Sequence, residues 1–150
     1  MAEHQPTNFV KYKKSKFSTQ LPSNYFYTKS HFWVNNTDDI LVIGLTKLAV
    51  RMLGELVECE FEIENDSNIQ KGNIIGWIEG LKANSDLYAV CSGKFISANS
   101  VLSESPEVLF NKPYSDGWLY HLEGKMDQDF LNVEDYIKFL DETIEGMSPR

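Results

Sequence analysis

The chain has 150 residues, and folding at this length hides roughly 68–70% of the unfolded chain's surface, which is enough for one domain with a core. The length argues against a two-domain enzyme with an active site between its domains. A formal net charge of −8 argues against nucleic acid or an anionic membrane as the main partner. A hydrophobic content of 42% argues against disorder.

The cysteine content and the lack of long apolar segments point to an intracellular protein. Cys59 and Cys91 are too few for a disulfide scaffold, and we interpret them as reduced thiols. The longest apolar stretch, residues 40–45, is far below the roughly 20 residues that cross a bilayer, and the N-terminus lacks a secretion signal. We expect a soluble cytoplasmic protein. The alternative, a mitochondrial targeting peptide, would be rich in arginine, and residues 1–23 contain none.

Charge is distributed unevenly along the chain. Residues 1–30 carry a net charge of +4 and residues 31–150 a net charge of −12. The four lysines between positions 11 and 16 alternate with aromatic residues but show no useful helix or strand periodicity. We therefore predict a flexible basic extension over residues 1–23 and a folded domain over residues 24–147. Removal of residues 1–20 is expected to leave folding unchanged.

From Tyr25 onward the chain is rich in strand patterns. Residues 32–34 and 40–43 flank a polar turn and predict a hairpin. Residues 57–63 alternate strictly, with glutamates at 58, 60, 62 and 64, which predicts a strand with one dry and one acidic face. Further strands are predicted at residues 74–78, 87–90, 94–98 and 117–122.

Three helices complete the predicted fold. Thr46 can cap a short helix that closes at Gly54, and Pro106 can begin a second. Asn132 precedes an amphipathic helix at the C-terminus. The pattern predicts a mainly β fold, a small barrel or sandwich with short helices and a C-terminal helix.

No enzyme motif is evident in the sequence. The three histidines have no second ligand at metal spacing, and neither a phosphate-binding loop nor a nucleophile elbow is present. The four alternating glutamates diverge along one strand face and fit a solvated, partner-facing surface better than a cation site. We predict no catalytic residue and no metal site.

Lys82 has the one unusual local setting, between two apolar strands. At the tip of a hairpin its amine would be held in water, and Gly80 and Ala83 would leave space around it. Such an amine is presented for modification. The alternative interpretation is an ordinary solvated loop lysine.

From about Tyr25 to the final helix, the chain resembles the glycine cleavage H-protein family of lipoyl carriers. Order and spacing agree over roughly 120 residues. The matching motifs are residues 31–34, 44–46 with 49, 53–57, 76–79, 82–83, 85–88, 92–93, 99, 102, 105–106, 111, 113–114 and 117–118.

The resemblance implies a lipoyl-domain-like barrel-sandwich hybrid that carries lipoate on Lys82. Removal of residues 1–20 is expected to leave this lipoylation unchanged. It implies that Glu79, Gly80, Ala83 and Asp86 help a lipoylating enzyme to recognise the lysine. A biotin carrier's lysine usually sits between methionines, whereas Leu81 and Ala83 flank Lys82 here, which favours lipoate. The implied protein is a non-catalytic carrier of the aminomethyl group of glycine. Its implied partners are a pyridoxal-phosphate glycine decarboxylase, a folate-dependent aminomethyltransferase and dihydrolipoyl dehydrogenase.

Two departures from the family pattern affect these expectations. Phe32 stands where the family usually has a glutamate that helps to shelter the amine of the loaded arm, and a phenyl ring cannot accept that hydrogen bond. Gly80 replaces the usual serine, which we expect to loosen the turn. An alternative function therefore stays open: an H-like lipoyl protein that acts as a lipoyl donor or relay, or in another thiol pathway, without the aminomethyl role.

Overall fold

The computed structural model describes residue 6 and residues 8–147, which form short antiparallel strands and four helices. The strands are β1 (Phe9–Lys14), β2 (Phe17–Pro22), β3 (Phe26–Tyr27), β4 (Phe32–Thr37), β5 (Ile40–Leu45), β6 (Leu56–Phe61), β7 (Ser67–Ile69), β8 (Ile74–Gly80), β9 (Asn84–Tyr88), β10 (Gly93–Ala98) and β11 (Tyr120–Gly124). The helices are α1 (Lys47–Leu53), α2 (Val101–Glu104), α3 (Glu107–Asn111) and α4 (Val133–Met147).

Two antiparallel sheets enclose the main core. The larger sheet has the strand order β3-β4-β5-β11-β10-β7, and the smaller has the order β6-β8-β9. Ile43 and Leu122 from the larger sheet are buried in the same apolar cluster as Ile78 and Leu87 from the smaller sheet. Side chains on the inner faces of the two sheets thus form a sandwich core. The predicted mainly β barrel-sandwich fold with short helices and a C-terminal helix is confirmed.

A second apolar cluster lies under α4. The Asn132 side chain accepts a 2.8 Å hydrogen bond from the backbone N–H of Asp135, as expected of a residue that caps the helix. Tyr136 is fully buried, and its ring stacks on that of Tyr27 at a centroid distance of 4.5 Å. Leu140 and the other apolar residues of α4 follow at helical spacing. The helix therefore covers the outer side of the larger sheet near β3.

The structure contradicts the predicted flexibility of the N-terminal segment over residues 9–22. Strands β1 and β2 pair as an antiparallel hairpin in register from Phe9–Pro22 to Lys14–Phe17. Leu21 is fully buried in the cluster under α4, and the Tyr12 hydroxyl donates a 2.8 Å hydrogen bond to Asp141. The inward face of the hairpin packs against α4, which lies more than 120 residues away in the chain. Local periodicity in the sequence therefore did not reveal this contact. Residues 1–5 and 7 of the predicted extension lie outside the described residues.

The packing of the hairpin predicts that it contributes to stability. Leu21→Ala should lower the free energy of unfolding by about 2–5 kcal/mol, because it leaves a cavity in a closed core. The matched control is Leu81→Ala, since Leu81 is 70% exposed, and its effect should stay within about 0.5 kcal/mol. Urea denaturation measures both. Equal effects of the two substitutions would contradict the packed hairpin.

Candidate functional site

Lys82 lies in the three-residue turn between β8 and β9, and its side chain is exposed. The turn is closed by a 2.9 Å hydrogen bond from the Gly80 N–H to the Ala83 carbonyl. The predicted position of Lys82 at the tip of a hairpin is thus confirmed. Its amine projects into water from a point where two strands of the smaller sheet reverse direction.

The backbone of the turn is hydrogen-bonded to the segment that follows α1. The Leu81 N–H donates to the Glu55 carbonyl at 2.9 Å, and the Lys82 N–H donates to the Leu53 carbonyl at 2.9 Å. The Ala83 N–H approaches the same Leu53 oxygen at 3.3 Å. Three successive amides therefore fix the turn from behind. The Cα of Lys82 is held in place while its side chain is exposed to solvent.

Two glycines allow this close approach of the backbone. A Cβ on Gly80 would lie 2.1 Å from the Leu53 carbonyl oxygen, closer than any carbon and oxygen can pack. Gly54 has a φ of +79°, and a Cβ there would lie 2.8 Å from the Cγ of Lys82. The expectation that Gly80 loosens the turn is therefore wrong. The missing side chain is what lets the end of α1 hydrogen-bond to the turn.

The outer face of the smaller sheet is acidic. The strand register places Glu58 opposite Glu79 and places Asp86 opposite Trp77, whose other neighbour is Glu60. Four carboxylates therefore share one face of β6, β8 and β9, which we call the acidic face. Of the predicted recognition residues, Glu79 and Asp86 lie on this face, whereas Gly80 and Ala83 lie at the turn itself.

The predicted alternation of the acidic strand holds only in part. A register shift between Leu56 and Glu58 leaves Val57 out of the ladder, and its side chain is 50% exposed instead of buried. The strand also ends at Phe61, two residues before the predicted end. A bulge adds one residue without changing the sequence pattern, which is why alternation alone missed it.

An apolar cavity of about 330 Å³ lies beside the Lys82 turn. Phe32, Met52 and Leu53 form apolar parts of its wall, and Ala83 and Asp86 form its border at the turn and β9. Its remaining lining residues are Ser30, Leu45, Ala49, Ile78, Asn84, Ser85, Leu87 and Tyr88. The cavity can take an apolar group of modest size that is tethered nearby.

A larger cleft of about 850 Å³ continues from this cavity. The two share Ser30, Phe32 and Tyr88 in their walls. The cleft also includes Lys71, whose ammonium lies 2.8 Å from a carboxylate oxygen of Asp127. A groove thus extends along β9 from the Lys82 turn towards an exposed ion pair.

His31 fixes the wall that carries Ser30 and Phe32. Its Nδ1 lies 2.8 Å from the Tyr136 hydroxyl, which donates to Thr46 Oγ1 at 3.0 Å. This buried chain of contacts joins the start of β4 to α1 and α4. Burial lowers the pKa of His31, so the ring is neutral in the folded protein near pH 7.

Neither cysteine has the lowered pKa of an activated nucleophile. Burial is the main reason that the pKa of Cys59 is raised to about 12, and burial likewise raises that of Cys91 to about 11, so both thiols stay protonated at neutral pH. Within residues 8–147 no three His, Cys, Asp or Glu side chains are grouped to hold a metal ion. None of the helices in that range is long and apolar enough to span a membrane.

The close contact at Gly80 predicts a steric effect of adding one methyl group. Gly80→Ala should lower the free energy of unfolding by about 1–3 kcal/mol, because the turn must move away from Leu53. The control is Gly146→Ala in α4, where a Cβ meets no atom within 4 Å. That control should be neutral or stabilising by about 0.5–1 kcal/mol. Chemical denaturation measures both, and a neutral Gly80→Ala would contradict the tight approach.

The neutral His31 predicts a loss of stability in acid. The folded protein has the lower pKa, so below about pH 6.5 the unfolded chain binds a proton that the folded chain does not. The contribution of His31 to the free energy of unfolding is fully present above that pH. It falls by up to about 1.4 kcal/mol for each pH unit below it. Asparagine tolerates the φ of +68° at this position, so His31→Asn should remove this component. The free energy of unfolding of the wild type and of His31→Asn is measured by denaturation at pH 5, 6 and 7. The same dependence of this free energy on pH in both proteins would contradict the prediction.

Comparisons with known proteins agree over the region that contains this site. The family model described as "Glycine cleavage H-protein" matches residues 25–143. The chain is 39% identical over 124 residues to the glycine cleavage system H protein of Listeria monocytogenes serotype 4a, covering 81% of this chain and 98% of that protein. It is 42% identical over 125 residues to the protein of the same name from a Synechococcus species, covering 81% and 96%.

A solved structure shows the same likeness in three dimensions. The crystal structure of a glycine cleavage system H protein from Mycobacterium marinum superposes with a TM-score of 0.73 at 28% identity, covering 81% of this chain and 99% of that one. The hairpin of β1 and β2 precedes the residues that the family model matches. Because the family model matches residues 25–143 and the relatives match 81% of its sequence, the chain belongs to the glycine cleavage H-protein family.

Proposed function

We propose that this protein is a lipoyl carrier of glycine cleavage and that lipoate is attached to Lys82 through an amide bond. The observation that carries the proposal is the geometry of the turn. An exposed lysine stands on a backbone that three amide hydrogen bonds hold still, in a member of the H-protein family. A fixed Cα with a free amine is what an enzyme that modifies one lysine among many can recognise.

The residues around Lys82 fit a lipoyl group. Lipoate is a short alkyl chain that ends in a five-membered disulfide ring, and the cavity of about 330 Å³ beside the turn has a mainly apolar wall of matching character. When attached, the group supplies a disulfide that can accept an aminomethyl group on one sulfur. The chain's own residues supply the anchor at Lys82, the apolar wall and partial exclusion of water.

Glu79, Gly80, Ala83 and Asp86 are proposed to mark Lys82 for the lipoylating enzyme. Gly80 and Ala83 set the backbone of the turn, and Ala83 leaves access to the amine. Glu79 and Asp86 belong to the acidic face next to the turn, where an enzyme with basic side chains could bind. The carrier needs no catalytic residue of its own for this role.

The proposed cycle involves three further enzymes. A pyridoxal-phosphate glycine decarboxylase would load the aminomethyl group, a folate-dependent aminomethyltransferase would remove it, and dihydrolipoyl dehydrogenase would reoxidise the dithiol. A tether raises the effective concentration of the reactive group at each active site in turn, without tight binding to any of them. The acidic face suits transient docking with basic surfaces.

The proposal predicts one modification site. Incubation with a lipoylating enzyme, ATP and lipoate should add the mass of one lipoyl group to the wild-type protein, and Lys82→Arg should stay unmodified. The control is Lys71→Arg, which changes another exposed lysine and should be modified like the wild type. Intact-mass spectrometry reads out all three. An unmodified wild type, or a modified Lys82→Arg, would refute the attachment site.

A second candidate function rests on Phe32. Its side chain is only 3% exposed and forms part of the cavity wall, at the position where the family resemblance implies a carboxylate. A wall without that carboxylate shelters an uncharged disulfide well and an ammonium group poorly. This favours an H-like lipoyl protein that serves as a lipoyl donor or in another thiol pathway.

Glycine–bicarbonate exchange with the partner decarboxylase separates the two functions. Fully lipoylated wild-type protein should support exchange if it carries the aminomethyl group. No exchange by the wild type together with recovery in Phe32→Glu would favour the second candidate. Because position 32 is buried, circular dichroism must check that Phe32→Glu and the smaller apolar control Phe32→Leu are both folded.

A further inference from the structure

The hairpin of β1 and β2 is ordered, yet it lies outside the residues that the family model matches. Its inward side chains, among them Tyr12, Phe17 and Leu21, are buried and account for its packing on the body. Its outward side chains are not used in this packing. They can therefore serve a purpose other than folding.

The outward face of the hairpin is basic. Lys11 and Lys13 point outward on β1, and Lys47 at the start of α1 lines the same depression of about 440 Å³. Lys16 is exposed in the hairpin turn. Within residues 8–147 none of these four lysines takes part in an ion pair, in contrast to Lys14, which lies 2.8 Å from Glu145.

Arg51 connects this basic surface to the Lys82 turn. Its guanidinium lies 5.7 Å from the centroid of the Phe17 ring and donates to the Lys16 carbonyl at 3.4 Å. Together with Lys47, Arg51 also lines a cavity of about 480 Å³ that includes Lys82 and Phe110. We call the set Lys11, Lys13, Lys16, Lys47 and Arg51 the basic track.

The surface between the basic track and Lys82 has exposed apolar side chains. Leu81 is 70% exposed and Phe110 is 55% exposed, and both line the cavity that holds Lys82. Exposed apolar residues with a charged rim are typical of a protein-binding surface. Lys82 thus stands between the acidic face and the basic track, and the exposed Glu55 lines the same cavity as Lys82, Lys47 and Arg51.

We propose that the basic track is a docking surface for the enzyme that acylates Lys82, and that this enzyme presents a carboxylate-rich surface beside its active site. An enzyme that acts on the Lys82 amine must bring its active site onto the turn, and its flank then meets α1 and the hairpin. Enzymes that act on the far end of the long lipoyl arm need not touch the turn. The inference rests on the proposed attachment of lipoate to Lys82.

The acidic face and the basic track would affect how fast the lipoylating enzyme binds and in which orientation. In the acylation step the activated carboxyl carbon of lipoate bonds to Nζ of Lys82, the activating group leaves, and the amine releases a proton to solvent. Opposite charges on the two sides of the turn attract the enzyme in one orientation and repel it in the reverse one. Their effect falls as salt screens the charges, because the side chains are exposed.

The test is the rate of Lys82 lipoylation by the lipoylating enzyme of the native host. Lys11→Glu with Lys13→Glu changes the net charge by −4, and the matched control, Lys125→Glu with Lys138→Glu, makes the same change at exposed lysines outside the track. At low salt, kcat/KM should fall about tenfold in the track variant and stay within twofold of wild type in the control. The difference in kcat/KM between the track variant and the control should become smaller as the salt concentration is raised towards 0.5 M.

The outcomes are distinct. A loss confined to the track variant, with an unchanged thermal midpoint, supports the docking surface. Equal rates in all three proteins, or equal losses in both variants, overturn it while wild-type lipoylation leaves the proposed function intact. If the wild type itself is not lipoylated, the proposed function fails and this inference fails with it. Lys11→Gln with Lys13→Gln should give an intermediate rate, because it removes charge without reversing it.

Discussion

The hydrogen-bonded contact between the end of α1 and the Lys82 turn is the constraint on which the rest of the site depends. Lys82 and its neighbours donate three backbone hydrogen bonds to Leu53 and Glu55, and the lack of a side chain on Gly80 leaves room for this close approach. The contact fixes the base of a long, exposed side chain. It also places α1 next to the turn, so that the apolar cavity and the Arg51 end of the basic track both lie beside the Lys82 turn.

The rest of the molecule holds this contact in place. The sandwich of two sheets fixes β8 and β9, and the buried chain from His31 through Tyr136 to Thr46 fixes the start of α1. A small protein can take part in demanding chemistry if the reactive group is an attached cofactor. The net charge of −8 hides two surfaces of opposite sign on either side of Lys82.

Much of the fold and the central residue could be predicted from the sequence. Hydrophobic alternation, turn residues and the cap at Asn132 are local signals, and they located the hairpins around residues 38 and 82 and the C-terminal helix. The family motifs then pointed to Lys82. These features depend on residues that are close together in the chain.

The features that could not be predicted depend on distant contacts. Tyr12 is buried by a helix more than 120 residues away, so its hairpin looked like a flexible basic segment. Gly80 looked like a loosening substitution because the Leu53 carbonyl that packs on it lies on another element. The bulge that exposes Val57 leaves no mark on an alternating pattern. In each case the structure depends on contacts between distant parts of the chain, which the local sequence pattern does not show.

The most direct test of the account is peptide mapping by tandem mass spectrometry of the protein purified from its native host. The account predicts one lipoyl group, carried only by the peptide that contains Lys82. A lipoyl group on another lysine, or unmodified Lys82 in cells supplied with lipoate, would contradict it.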